Sequence, residues 1–428
     1  MLDFRPPLES PALIWYVNLV LPLYMKLKLH DTRVTIKEGA LERFAKLKGK
    51  HAMICPNHSN RHDPQVVGMF ARAAGEHFNF VAAREVFDYD NGANGWWLQH
   101  LGVYSVVRGA ADRESFKTTR RILSEGRKKL VLFPEGELSR QNDTVMPLES
   151  GAAQMAFWAM QDMEKGGAKI GPGEDEKTVY IQPIAMKYTY PYDVSSSLRE
   201  TLKTLENKLG IVSPDDFSFY NRMRALAEKM LGTIEKEYGI TTNAQPPLGM
   251  NERLKALRRH ILNNLARILE IELPKDARDL ECVRILRNKL DDFIFEDEKK
   301  MTEYERHVHE EKQRVYKSYY RDLNRVVTFI CIYDGYVTEH MTQERYSDVI
   351  ERMEIEIFDG DPTIKGPREI LIDVGEAIDL SAYYADFKKE KKATIAKVTD
   401  LIFSEISTML TKLDEGRTHR FIDAKTLV

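Results

Sequence analysis

The sequence predicts an α/β fold: a mostly parallel sheet flanked by helices, with a large all-α insertion. Three observations predict it. Between residues 32 and 191, short apolar runs alternate with helical patterns, as a layered parallel sheet requires. From about 193 to 358 the alternation gives way to leucines at helical spacing. At Arg368-Glu369-Ile370-Leu371-Ile372-Asp373-Val374 a strand pattern returns, and a lone strand needs a sheet to join. The nearest sheet is that of residues 50–190, so the helical block reads as an insertion inside one α/β domain. The expected parts are an interfacial helical segment at 1–30, the first part of the α/β domain at 31–192, the insertion at 193–362, and a returning strand with a final helix at 363–428.

Taken in order, residues 12–25 are apolar but too short for the ~20 residues of a spanning helix, and Asn18 and Pro22 interrupt them. A core helix is one reading. The other is an interfacial segment, with Trp15, Tyr16 and Tyr24 at headgroup level and Lys26 and Lys28 toward anionic lipid. A positive leader and a small-residue cleavage site are not seen. The expected strands are 52–55, 78–83, 103–107, 130–133 and 179–184, and the helices between them 64–74, 111–125 and 151–163. In the block, Leu198, Leu202, Leu205 and Leu209 run up to Gly210, a plausible stop. Leu254, Leu257, Ile261, Leu265 and Ile268 repeat the stripe, as do Leu280, Val283, Leu286, Leu290 and Phe293. These stripes are packing faces. A last amphipathic helix is expected from 386 to 413.

Composition narrows the function. Over 428 residues the net charge is −3, which argues against a general nucleic-acid binder. Three scattered cysteines, Cys55, Cys282 and Cys331, form neither a disulfide framework nor a zinc motif, and fit a reducing compartment. No metal or cofactor is expected.

The stretch that carries chemistry is Asn57-His58-Ser59-Asn60-Arg61-His62-Asp63-Pro64, directly after the 52–55 strand. An aspartate near a histidine can accept its Nδ1–H, fix the tautomer, and leave Nε2 to take a proton from a substrate hydroxyl. On one continuous helix these two side chains would diverge by about 140°. His58 is therefore placed in the loop and Asp63 at the helix start. The plainer reading is an N-cap aspartate followed by proline at the first helical position.

With these residues laid out, the chain resembles the glycerolipid acyltransferase superfamily over about residues 30–192 and, more weakly, 366–413. Asn57, His58 and Asp63 match its Asn-His-x4-Asp block. Gly102-Val103-Tyr104-Ser105-Val106-Val107-Arg108 is similar to its second block, and Phe133-Pro134-Glu135-Gly136-Glu137-Leu138-Ser139 to its third. The strand Ile181-Gln182-Pro183-Ile184 resembles the fourth. Ala83-Arg84-Glu85-Val86 and Gly375-Glu376-Ala377-Ile378 resemble two further family segments. The resemblance implies transfer of a fatty acyl group from acyl-CoA or an acyl carrier protein to a glycerol hydroxyl of lysophosphatidate or glycerol 3-phosphate. It implies His58 as base, Asp63 as its partner, and Arg84, Arg108, Glu135, Gly136 and Ser139 as substrate-binding residues. It further implies a peripheral or monotopic protein on the cytoplasmic face of a membrane.

Two carboxylates depart from the family pattern. Glu137 stands where threonine is frequent, and Glu149 where a lysine is frequent, and both would repel an anionic acceptor unless paired or turned away. Another acceptor (a lysophospholipid, another alcohol or an amine) and an idle lipid-surface scaffold are the rival readings. The insertion is expected to cover the acyl tunnel or to make a homo-oligomer contact. His62 lacks an evident carboxylate partner, and His307 with His309 reads as part of an exposed charged helix. Trp96 and Trp97 read as core or interface anchors.

Overall fold

The computed structural model describes residues 4–108, 112–173, 176–214, 218–240, 248–294, 302–331, 336, 338, 340–418 and 421–423. They form two compact units. One joins Phe4–Tyr192 to Gly366–Thr418, and the other is built on Asp193–Lys365 with the strand at 421–423.

The first stretch of the chain gives α1 (Pro11–Lys28), β1 (Asp31–Ile36), α2 (Ala40–Ala45), β2 (His51–Pro56), α3 (Asp63–Ala73) and β3 (Asn79–Ala83). A 3-10 stretch (Arg84–Gly92) leads to α4 (Ala93–His100), β4 (Val103–Val106), α5 (Arg113–Glu125), β5 (Leu130–Val131), α6 (Gly151–Lys165) and β6 (Val179–Thr189). The helical unit contributes α7 (Ser195–Leu209), α8 (Phe219–Glu237), α9 (Met250–Ile268), α10 (Asp279–Ile294), α11 (Glu303–Ile330), β7 (His340–Thr342) and α12 (Gln343–Phe358). The chain then returns as β8 (Arg368–Val374), β9 (Ile378–Asp379), α13 (Ser381–Lys389) and α14 (Lys391–Asp414), and closes with β10 (Phe421–Asp423).

In the first unit the sheet runs β1-β8-β6-β2-β5-β3-β4, with β9 also on β6. β2, β5, β3, β4 and β6 are mutually parallel, while β8 is parallel to β1 and antiparallel to β6. The returning strand therefore lies inside the sheet, between β1 and β6, and the expected α/β class with extra helices is the class observed.

A mostly parallel sheet must be covered on both faces, and the period of two distributes its side chains accordingly. Ile54, Ile184, Met186, Ile370 and Ile372 pack with Leu21 and Met25 of α1, Phe44 of α2, and Val66, Val67 and Phe70 of α3. Met53, Cys55, Ile181 and Ala185 face the other way, toward Phe157 and Met160 of α6, Phe387 of α13, and Val398, Ile402 and Ile406 of α14. Each such burial is worth roughly 1.5–3 kcal/mol for a large side chain. The resulting αβα sandwich fixes the strand ends on which the site is built.

Several elements differ from the sequence expectation. β6 continues to Thr189 because β8 pairs antiparallel with it from Ile184 to Thr189; on its other edge Asn57 exchanges hydrogen bonds with the Met186 backbone at 2.7 and 3.0 Å, and Asn142 with the Tyr188 backbone at 2.7 Å each. β5 stops at Val131, the chain then turning toward the loop of the third block. The helix expected from 111 begins at Arg113, residue 111 lying outside the described residues. The final helix is split at Glu390, whose backbone leaves helical geometry (φ −133°, ψ 72°). α1 is neither wholly core nor free: Leu21 and Met25 are buried, while Trp15, Leu19, Leu23 and Leu27 are exposed. No helix among the described residues is long and apolar enough to cross a membrane.

The helical unit packs Leu254, Leu257, Ile261 and Leu265 of α9 against Val283, Leu286 and Leu290 of α10 and Leu323 and Val326 of α11. The leucine stripes thus face one another, as their spacing implies. β7 and β10, too short to read from alternation, pair antiparallel in this unit.

Candidate active site

The carboxyl ends of parallel strands carry the motif residues. His58 follows β2, the Glu135–Gly136 turn follows β5, Arg84 follows β3 and Arg108 follows β4. Those four strands are neighbours in the order β2-β5-β3-β4, so residues distant in sequence meet along one edge of the sheet. Open α/β sheets bind ligands at that edge.

His58 lies in the loop and Asp63 opens α3, as the spacing requires. Asp63 does not serve as the N-cap; His62 holds that position without a side-chain capping bond. The Asp63 carboxylate, fully buried, instead gathers three donors. Oδ2 accepts from His58 Nδ1 and from the Asn60 N–H, both at 2.9 Å, and Oδ1 accepts from the Tyr188 hydroxyl at 2.7 Å. The His58 ring stacks on Phe133, centroids 4.2 Å apart, and keeps 21% of its side-chain surface exposed. Its Nε2 makes no hydrogen bond to a described residue. The ring is thus gripped at Nδ1 and on its face, and an imidazole held this way has the geometry that general-base chemistry requires.

The third block supports this loop. Glu135, also buried, accepts the His58 N–H at Oε1 (2.5 Å) and the Met146 N–H at Oε2 (2.9 Å). Burial pushes its pKa up to about 7, against the opposing pull of those two backbone donors and of the nearby His58. The Ser139 N–H and Oγ both donate to the His58 carbonyl, at 2.8 and 3.0 Å. Gly136 turns the chain with φ +72°, a conformation glycine adopts without strain.

Arg108 reaches back past β3 to this turn. Its Nη1 donates to the Gly136 carbonyl at 3.1 Å and pairs with Glu137 at 2.7 Å, and its Nη2 pairs with Glu85. Burial works against its charge, but Glu137 and Glu85 outweigh it and hold the guanidinium above its ordinary pKa. Glu137 is thus the paired carboxylate that the family departure left open. Arg84 is buried at the end of β3, with Nη1 on Asp88 at 2.8 Å.

Behind Asp63 lies a second charged group. His62 Nδ1 sits 2.8 Å from both Asp31 Oδ2 and Arg368 Nη2, and Arg368 Nε donates to Asp31 Oδ1 at 2.8 Å. His62 therefore has a carboxylate partner, brought by β1 from a distance of thirty-one residues. The Arg368 guanidinium lies 4.7 Å above the Tyr188 ring.

Asp31, Glu85, Tyr188 and Arg368 escaped the sequence reading as site residues. One signal existed for Tyr188: it continues the buried face of Ile184 and Met186, and a buried phenol demands a partner. In the helical unit, His307 is exposed, but His309 is buried, 2.9 Å from Gln313 and tilted against Phe293, correcting the exposed-helix expectation for that residue. Among the described residues no group of side chains is arranged to hold a metal ion. Trp96 and Trp97 are exposed on α4 and meet edge to face.

Comparison with known proteins adds the family. No curated protein matches the chain. The family model described as Acyltransferase matches residues 33–187, a range that holds His58, Asp63, Arg84, Arg108, Glu135, Gly136 and Ser139 on one sheet edge. Over residues 33–187 the chain is similar to the acyltransferase family, a likeness that supports acyl transfer in general.

Proposed function

We propose that this protein is a peripheral membrane acyltransferase that moves a fatty acyl group from acyl-CoA or an acyl carrier protein to a hydroxyl of lysophosphatidate or glycerol 3-phosphate. The observation that carries the reading is the His58–Asp63 bond at 2.9 Å with Nε2 left open. An alcohol is a weak nucleophile near neutrality. With its hydroxyl against Nε2, His58 takes the proton as oxygen attacks the thioester carbonyl. The new C–O bond forms, the C–S bond breaks, and the imidazolium returns its proton to the departing thiolate. Asp63 stabilises the imidazolium in between. Base assistance of this kind is worth roughly 10²–10⁴-fold.

Direct transfer fits the side chains at hand. Cys55 is buried, and burial drives its thiol far above its ordinary pKa, so it offers no thiolate. Ser139 Oγ is engaged with the His58 carbonyl. In this reading Arg84 and Arg108 face the anionic groups of donor and acceptor, and Glu135, Gly136 and Ser139 shape the wall of the substrate site.

The exposed apolar face of α1 supports a membrane surface as partner. Trp15, Leu19, Leu23 and Leu27 are exposed, and Lys26 and Lys28 close the helix, a match to the anionic cytoplasmic leaflet. Cosedimentation with anionic vesicles tests this. Leu19→Asp with Leu23→Asp is expected to release the protein without altering its fold; undiminished binding refutes the surface.

One observation favours a second acceptor class. Arg108 is already paired with Glu85 and Glu137, so a phosphate must displace a carboxylate, whereas a neutral alcohol or an amine need not. Thiol release from an acyl thioester, with mass spectrometry of the product over a panel of acceptors, separates the two. The proposal expects turnover with lysophosphatidate or glycerol 3-phosphate. Turnover confined to uncharged acceptors replaces it with the second reading, and none with any acceptor removes both.

A further inference from the structure

We infer that Tyr188 is a positioning residue of the acyl transfer: its hydroxyl, on Asp63 Oδ1, aims the carboxylate at His58, and Arg368 from the returning strand holds the phenol in place. The inference rests on the proposed role of His58 and Asp63 and adds a third and a fourth member from outside residues 33–187.

Asp63 has two oxygens and three donors. Oδ2 is shared by His58 Nδ1 and the Asn60 N–H, while Oδ1 has Tyr188 at 2.7 Å. A carboxylate rotates about its own axis unless both oxygens are held, and in a buried position an unheld oxygen carries the full desolvation penalty. Tyr188 is the side chain that holds the far oxygen. Its own freedom is removed from three sides. Asn142 fixes its backbone with two 2.7 Å bonds, Arg368 lies 4.7 Å over its ring, and the ring is packed in the core layer of α1–α3. Arg368 in turn is anchored at 2.8 Å to Asp31. Burial first, then the charges of Asp63 and Asp31, raise the phenol well above its ordinary pKa, Arg368 pulling the other way. The hydroxyl therefore stays protonated and donates throughout the working pH range.

The donor also tunes the base. Sharing the Asp63 charge with Tyr188 leaves less of it to stabilise the His58 imidazolium, so removing the hydroxyl raises the proton affinity of His58. The charged or titratable groups facing this assembly are Asp63, Glu135, Asp31, His62 and Arg368; the outer three keep their mutual contacts when only the hydroxyl is lost.

The test is Tyr188→Phe in the full chain, assayed as thiol release across pH 5–9. The inference expects kcat to fall about tenfold, KM for the acyl thioester to hold within twofold, and the acidic limb of the pH profile to move up. Unchanged kcat and an unmoved acidic limb overturn it, as does a loss confined to KM. If His58→Ala is inert while Tyr188→Phe is normal, the base assignment survives and only this inference falls. Should Tyr188→Phe not fold, difluorotyrosine placed at 188 keeps the shape and strengthens the donor. The acidic limb is then expected to move down, and a profile identical to wild type overturns the inference.

Discussion

His58 and Arg108 follow strands of the same sheet edge, yet their charges are handled in opposite ways. His58 is gripped at Nδ1 by a buried carboxylate and at its backbone by Glu135 and Ser139, while Nε2 makes no hydrogen bond to a described residue. Arg108 spends its guanidinium on the protein's own Glu85, Glu137 and Gly136. The first arrangement leaves a function to be used; the second neutralises one until something displaces its partners. In the proposed reaction, the difference means that the proton acceptor is ready in the resting site, whereas recognition of an anion by Arg108 would require exchange of ion pairs. The proposal therefore assigns substrate choice to the Arg108 side and rate to the His58 side.

Three substitutions break or sharpen that contrast. Asp63→Asn has the largest expected effect. An amide cannot hold the His58 tautomer as the carboxylate does, and it must satisfy Tyr188 and Asn60 as well, so kcat is expected to fall roughly 10²–10⁴-fold. Initial rates at saturating thioester measure it, and a loss under threefold would detach Asp63 from the chemistry.

Glu135→Gln comes next and reads stability. The folded pKa of Glu135 is raised to about 7 from 4.5, so the fold binds its proton more tightly than the unfolded chain does. The stability it contributes is complete below about 4.5 and is lost as pH rises through 7, roughly 3 kcal/mol over the window. Denaturant unfolding at pH 5 and pH 8 should show that slope in wild type and a flatter one in the variant. Equal slopes would mean that Glu135 is not held in a desolvated site.

Glu137→Gln is the smallest. It removes one of the two carboxylate partners of Arg108, a largely buried pair, and so frees part of the guanidinium for an incoming anion. KM for a phosphate-bearing acceptor is expected to fall three- to tenfold, with KM for a neutral alcohol unchanged. An unaltered ratio between the two acceptors would take Arg108 out of acceptor recognition.

What the sequence discloses follows the range of the interaction. His58 and Asp63 could be paired on paper because five residues across a loop and a helix start leave few geometries. β8 was legible from its alternation, and the facing stripes of α9 and α10 from their leucines. Tyr188, Asp31 and Arg368 were not, because their meeting depends on β8 entering between β1 and β6, a strand order that no local pattern encodes. The pairing of Glu137 with Arg108 depends likewise on β4 lying two strands from β5. The extra length of β6 comes from its antiparallel ladder with β8, while the amides of Asn57 and Asn142, which read in sequence as loop residues, imitate a neighbouring strand on its other edge.

The most direct measurement is the rate at which His58→Ala releases thiol from a long-chain acyl thioester in the presence of acceptor, set beside wild type at equal melting temperature. A base at Nε2 predicts a fall of at least two orders of magnitude with the fold intact. A variant that transfers acyl groups at the wild-type rate contradicts the account.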